Sequence, residues 1–190
     1  MKLNKVAMAV ALTAALGSMS ALADTTNGQI ELQGELVNTA CGLAPSSSPV
    51  TVDFGQVPVS LLQGGGQATE TKNIELQYCD TTIASSAVVS YTPTSVNPND
   101  PTLAAFTSGT ASGAGIGLKD SASQTVTWGA QTTPVTLVDG TNTIPFVAFL
   151  KAEAAASGST TTVTAGAFQS TINFTIDYPV SYTHLPSPRD

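Results

Sequence analysis

Catalysis needs nucleophiles, acids, bases or metal ligands at workable spacing, and this 190-residue chain carries few of them. Its one histidine, His184, lies in the last ten residues, and so does its one arginine, Arg189. Between residues 24 and 179 the basic groups are Lys72, Lys119 and Lys151, set against twelve carboxylates, which leaves that span at −9. It offers no imidazole for general-base work and no guanidinium to clamp an oxyanion or a phosphate. A metal site there would have to be all carboxylate, and no EF-hand spacing occurs. Gly113-Ala114-Gly115-Ile116-Gly117-Leu118-Lys119 superficially resembles a phosphate loop but lacks the P-loop spacing and its strand–helix setting, so it reads as a glycine-rich turn. Asn173-Phe174-Thr175 fits a glycosylation triplet, but it sits mid-strand and is set aside. No catalytic residue, cofactor, metal or small-molecule substrate is expected, and a hydrolase fails for want of histidine and of a nucleophile elbow. A whole-chain charge of −7 argues equally against a nucleic-acid partner.

Cys41 and Cys79 are the only cysteines. In an exported protein an even pair reads as one disulfide; a metal site would need further ligands, and a redox role would show a C-x-x-C pair. Closing the 38-residue loop between them contributes about 4 kcal/mol by loop entropy. Export itself is read from the start of the chain. Met1-Lys2-Leu3-Asn4-Lys5 is basic, Val6 to Leu16 is apolar and uncharged, and Ala21-Leu22-Ala23 is a small-x-small cleavage site before Asp24. That is the layout of a signal peptide over residues 1–23. At the other end, residues 180–190 break the preceding alternation and resemble a translated sequencing-adapter read-through, so they are expected to be non-native.

The elements that would position any site are strands. Low charge, many short apolar runs and Gly/Pro/Asn/Ser punctuation point to a single all-β sandwich. The strands read from the pattern are 29–41, 50–56, 73–78, 87–92, 116–119, 125–128, 143–151 and 166–178, with helix candidates only at 102–107 and 151–156. Ile74, Leu76 and Tyr78 alternate with polar residues, which predicts one buried face. Phe168, Ile172, Phe174, Ile176 and Tyr178 do the same, with Ser170 the exception. Trp128 reads as a packing residue. The first residues after the cleavage site form a third such pattern: Thr26, Gly28, Ile30, Leu32 and Gly34 share a face opposite Asn27, Gln29, Glu31 and Gln33. Termini are ordinarily frayed and polar, so an amphipathic strand here expects a groove, its own or another molecule's.

These residues carry a resemblance. Gly28-Gln29-Ile30-Glu31-Leu32-Gln33-Gly34 running on to Cys41, Asp53-Phe54-Gly55-Gln56-Val57, Ile74-Glu75-Leu76-Gln77-Tyr78-Cys79-Asp80 and Gly140-Thr141-Asn142-Thr143-Ile144-Pro145-Phe146 match, in order and spacing, the major subunits of chaperone–usher (type 1) fimbriae. Gly166 and Tyr178 stand fourteenth from last and penultimate if the native chain stops at 179, as in that family. The resemblance covers 24–179. It implies an incomplete immunoglobulin-like β-sandwich lacking its last strand, with an apolar groove beside the final strand, over residues 35–179. It also implies a donor-strand extension over 24–34. A periplasmic chaperone would lend a strand to the groove, and at the outer-membrane usher the extension of the next subunit would replace it. The partners implied are other pilin copies, the chaperone and the usher, and the location is the surface fimbrium, reached through the periplasm. The donor residues would be Thr26, Gly28, Ile30 and Leu32. The groove and chaperone contact would be Gly166, Phe168, Ile172, Phe174, Ile176 and Tyr178. Gly28, without a side chain, suits a point of close approach between strand and groove. Two alternatives remain at this level: a minor or adaptor subunit, and a self-complete secreted sandwich whose own N-terminal strand fills its groove.

Overall fold

The computed structural model describes residues 29–154 and 162–179. The chain divides into two units, 1–36 and 37–190. The described part of the first, residues 29–36, is exposed and has no regular secondary structure. A strand acquires its backbone hydrogen bonds from a neighbour. The strand expected at 29–41 is therefore absent as a paired element; β1 (Gly42–Leu43) begins only after it. The signal-peptide and tail readings, and the positions Thr26 and Gly28, lie outside the described residues.

The second unit is a β-sandwich. After β1 come a 3₁₀ turn (Pro45–Ser47) and one short helix, α1 (Val59–Gln63). The remaining strands are β2 (Gln67–Cys79), β3 (Ser86–Pro93), β4 (Ser108–Gly109), β5 (Ala114–Lys119), β6 (Val135–Thr136), β7 (Gly140–Ala152), β8 (Phe168–Gln169) and β9 (Ile172–Asp177). One sheet has the order β1-β2-β7-β5 and the facing sheet β6-β3-β9, with β4 and β8 pairing separately. Every named pairing is antiparallel. The core lies between the sheets, where Ile74 and Leu76 of β2 and Ile144 and Phe146 of β7 meet Val89 and Tyr91 of β3. Trp128 packs partly buried against this cluster, in keeping with its reading as a packing residue.

Several local expectations are corrected. Residues 102–107 are not helical, and 151–152 belong to β7; the helical turns fall instead at 45–47 and 59–63. Residues 125–128 form only an isolated bridge, Lys119 with Thr125. The glycine-rich stretch is a strand over 114–119. Gly117 lies opposite Phe149 in β7, and a Cβ there would come within 2.1 Å of the Phe149 ring. The missing side chain is the room the ring occupies, a packing reason for glycine that composition does not reveal. Tyr78 does not share the buried face of Ile74 and Leu76. The register slips between Leu76 and Cys79, Tyr78 takes φ 56°, and its side chain is 86 % exposed while Cys79 turns inward. A bulge inserts one residue and so reverses the parity of the residues after it. The inward turn delivers Cys79 to Cys41, and the expected disulfide is formed with Cα atoms 4.1 Å apart.

Two buried carboxylates tie loops to the sandwich. Asp120, 7 % exposed, accepts from the N–H groups of Ala122, Gln124 and Thr133 at 2.8–3.0 Å and from the Thr133 hydroxyl at 2.6 Å. Burial works against its charge, but these hydrogen bonds outweigh it and hold the carboxyl below its ordinary value of 3.8. Asp100 is likewise held low against its burial by Thr102 and by Lys151, whose Nζ lies 3.1 Å away. A depressed folded-state value contributes stability that is present above the unfolded value and lost as pH falls through the folded one. We therefore expect Asp120→Ala to cost about 1.5–3 kcal/mol at pH 7, from the loss of hydrogen bonds to a charged group. The denaturation midpoints of wild type and variant should converge as pH falls below 3.8.

Candidate functional site: an apolar groove along the open edge of β9

β9 is an edge strand. It pairs with β3 on one flank, from Val88 opposite Asp177 to Pro93 opposite Ile172, and among the described residues no strand lies on its other flank. Its side chains alternate as the sequence predicts: Asn173, Thr175 and Asp177 are exposed, while Ile172, Phe174 and Ile176 face the core. Yet all three inward residues are only half-buried. The same holds for Phe168 and Tyr178 on either side. Ser170 keeps the parity by donating its hydroxyl to the Ala105 carbonyl at 2.8 Å.

The opposite wall is residues 50–57. The sequence alternates here too, with Val50, Val52 and Phe54 set against Thr51 and Asp53, and these three apolar side chains pack half-buried against the core. The expected strand 50–56 is nevertheless not one. Among the described residues its backbone makes no bond to another backbone group, and Gly55 N–H turns instead to the Asp53 carboxylate at 2.8 Å. Between the two walls lies a cleft of about 730 Å³, lined by Val50, Val52 and Phe54 on one side and Phe168, Ile172 and Phe174 on the other. Its floor includes Ile74, Leu118 and Phe146 of the core. A second cleft of about 270 Å³ continues past Phe168 and is lined by Val57, Leu62, Phe106 and Gly166 among others. Phe168 belongs to both, its ring stacked on Phe106 at 4.7 Å and tilted against Phe54 at 6.2 Å. The site is thus an apolar trough of two clefts that meet at Phe168, its backbone edges unpaired on both sides among the described residues. What fits such a trough is an extended chain, which can bond both edges and place alternate apolar side chains inward.

The expected groove residues divide. Phe168, Ile172 and Phe174 line the larger cleft. Ile176 and Tyr178 continue the same face toward the disulfide, where the Tyr178 hydroxyl reaches the Cys41 carbonyl at a long 3.4 Å. Burial pushes the Tyr178 phenol up from its ordinary value. Gly166 lines the second cleft, but its tightest constraint is elsewhere: a Cβ would lie 2.2 Å from Thr110 Oγ1 and 2.6 Å from Ala111 N. Of the expected donor residues, Ile30 and Leu32 are described, 84 % and 88 % exposed. The wall formed by Val50, Val52 and Phe54 was missed as part of a site, although their alternation was visible.

Comparisons with known proteins show the family and the fold. The family model described as Fimbrial protein matches residues 30–179. The major fimbrial subunit of Proteus mirabilis (strain HI4320) is 50 % identical over 187 residues, covering 94 % of this chain and all of that protein. The type-1 fimbrial protein A chain of Escherichia coli is 34 % identical over 190 residues, again covering 94 % and 100 %. Among solved structures, a subunit from a chaperone–usher pilus studied for rod uncoiling superposes with a TM-score of 0.70 at 26 % identity, covering 82 % of this chain and 98 % of that one. The P pilus rod subunit PapA gives 0.62 at 27 % identity, covering 74 % and 100 %. The fold and groove define a pilin with an immunoglobulin-like sandwich. The chain belongs to the fimbrial protein family and is a major pilin of chaperone–usher fimbriae, a structural subunit that polymerises with other pilin subunits into a surface fimbrium.

If the half-buried wall is the binding surface, one charge in it should weaken strand capture. Replacing Ile172→Asp is expected to reduce affinity for a peptide spanning residues 24–36 at least ten-fold, since one aliphatic burial is worth about 1.5–3 kcal/mol. Titration calorimetry against the wild-type subunit measures it.

Proposed function

We propose that this subunit is joined to its neighbours by exchange of the arm 24–34, with Thr26, Gly28, Ile30 and Leu32 facing the groove of the preceding copy. Residues 1–23 direct export and are removed, and residues 180–190 are not native. In the periplasm a chaperone fills the groove of residues 166–178; at the outer-membrane usher the next arm displaces it. The organelle supports adhesion collectively, and the subunit itself catalyses nothing.

One observation carries the reading. The body has a trough whose walls are half-buried and whose backbone edges are unpaired among the described residues, while its own arm is a separate unit with Ile30 and Leu32 exposed. The surplus and the deficit are complementary in chemistry: an apolar stripe of period two on one, an apolar slot beside an open edge on the other. Burying Ile30 and Leu32 would contribute about 1.5–3 kcal/mol each. Register is enforced because a one-residue slip turns both to water.

Deleting residues 24–33 should leave a chain that co-purifies with its chaperone and accepts an arm, yet cannot donate one to the preceding copy. Long fibres built from the truncated chain would overturn the assignment. Gly28→Ile should slow polymerisation sharply through a clash at the close approach, read from assembly rates; an unchanged rate removes that role from Gly28.

A further inference from the structure

We infer that Gly109 is a positioning residue for arm capture: lacking a side chain, it lets β4 press against β8 closely enough to hold Phe168 in the wall of the groove. This rests on the exchange reading above and goes beyond it, to a residue that lines neither cleft. Phe168 is not placed by β9. The β3–β9 ladder begins at Ile172, opposite Pro93, and Ser170 and Thr171 before it belong to no strand. Phe168 stands instead in the separate β4–β8 pair, directly opposite Gly109. On one side of it Thr107 N–H donates to the Gln169 carbonyl at 2.8 Å and the Ser108 hydroxyl to Gln169 Oε1 at 2.9 Å. On the other side the N–H groups of Thr110 and Ala111 both donate to the Ala167 carbonyl, at 2.9 and 3.1 Å. The backbone at Phe168 is thus bracketed by bonds from residues 107–111, and it moves when they move.

That placement matters because the Phe168 ring belongs to both clefts, stacked on Phe106 and tilted against Phe54 of the opposite wall. Gly109 sets how near β4 can come. It takes φ 109°, a conformation that L side chains rarely adopt, and a Cβ there would run into the Ala167 carbonyl oxygen and lie 2.9 Å from Phe168 Cα. The obstructing atoms are backbone, so no change of rotamer relieves the clash. With any side chain at 109, β8 has to withdraw, by 0.5 Å at Phe168 Cα before ordinary contact at 3.4 Å is reached. A gap of 0.5–1 Å already forfeits about a quarter to a half of a dispersion contact. A ring displaced that far loses its hold on an incoming apolar side chain, although every residue of the groove is still present.

The test titrates a synthetic peptide of residues 24–36 into the mature subunit by calorimetry, for wild type, Gly109→Ala, Phe168→Ala and the double variant. Emission from Trp128, the chain's one tryptophan, which packs on the main core, reports that the body is folded. Gly109→Ala should weaken capture at least ten-fold by itself and less than two-fold in the Phe168→Ala background, where there is no ring to misplace. A change of less than three-fold in Gly109→Ala overturns the inference and leaves arm exchange standing. An equal loss in both backgrounds also overturns it, because the glycine then supports the body at large and not the ring. If Gly109→Ala lacks native Trp128 emission, Ser108→Ala decides in its place, since it removes the hydroxyl bonded to Gln169 and leaves the backbone free to fold. Capture about three-fold weaker, with no loss in the Phe168→Ala background, is then expected; no change, or an equal loss in both, overturns the inference. Failure of the wild-type subunit to bind the peptide overturns the exchange reading and this inference with it.

Discussion

An antiparallel sheet satisfies its backbone and buries its side chains through the same neighbour, so an edge strand that turns an apolar face inward lacks two things at once. β9 is in that position. Ile172, Phe174 and Ile176 point toward a core that covers them by half, and the wall across the cleft, residues 50–57, bonds no other backbone among the described residues. Any solution has to deliver hydrogen-bonding groups and apolar side chains on one extended segment. A folded surface cannot do this, and neither can a small molecule. On the arm-exchange proposal the partner is an extended chain, and the subunit's stability is coupled to that partner's presence.

The rest of the sandwich keeps the trough in shape. The long β2–β7 pair spans the first sheet from Gln67 opposite Lys151 to Cys79 opposite Gly140, and forms the floor through Ile74, Phe146 and Ala148. Asp120 and Asp100 hold loops to the framework with charge-assisted bonds. The disulfide fixes the start of the body at Cys41, beside the point where the arm departs. The scarcity of basic groups and of imidazole is compatible with the proposed arm exchange, which runs through backbone and aliphatic contacts.

Much of this was legible along the chain because period-two alternation is a local property. Ile172, Phe174 and Ile176 read as one face of a strand and are one, although the expected strand 166–178 is split and Phe168 falls in the separate β8, and Ile74 and Leu76 read as core and are fully buried. The cysteine pair was legible from compartment and count. The amphipathic arm at 26–34 was visible as an apolar stripe with nothing assigned to cover it, and the family resemblance supplied its setting.

What local pattern could not supply were facts that depend on a residue opposite in space. The bulge that turns Tyr78 outward and Cys79 inward is a mismatch between two strands more than sixty residues apart, so neither strand's own alternation reveals it. Gly117 read as turn material because its reason for being glycine, the Phe149 ring, lies on another strand. Val50, Val52 and Phe54 alternate as a strand would, but whether they pair or stand as the wall of a trough is decided by what lies across from them. The sequence by itself determined which faces are apolar and that the N-terminal arm carries an apolar stripe. Only the tertiary structure decided which of those faces find a neighbour, because pairing is a property of two segments and alternation a property of one.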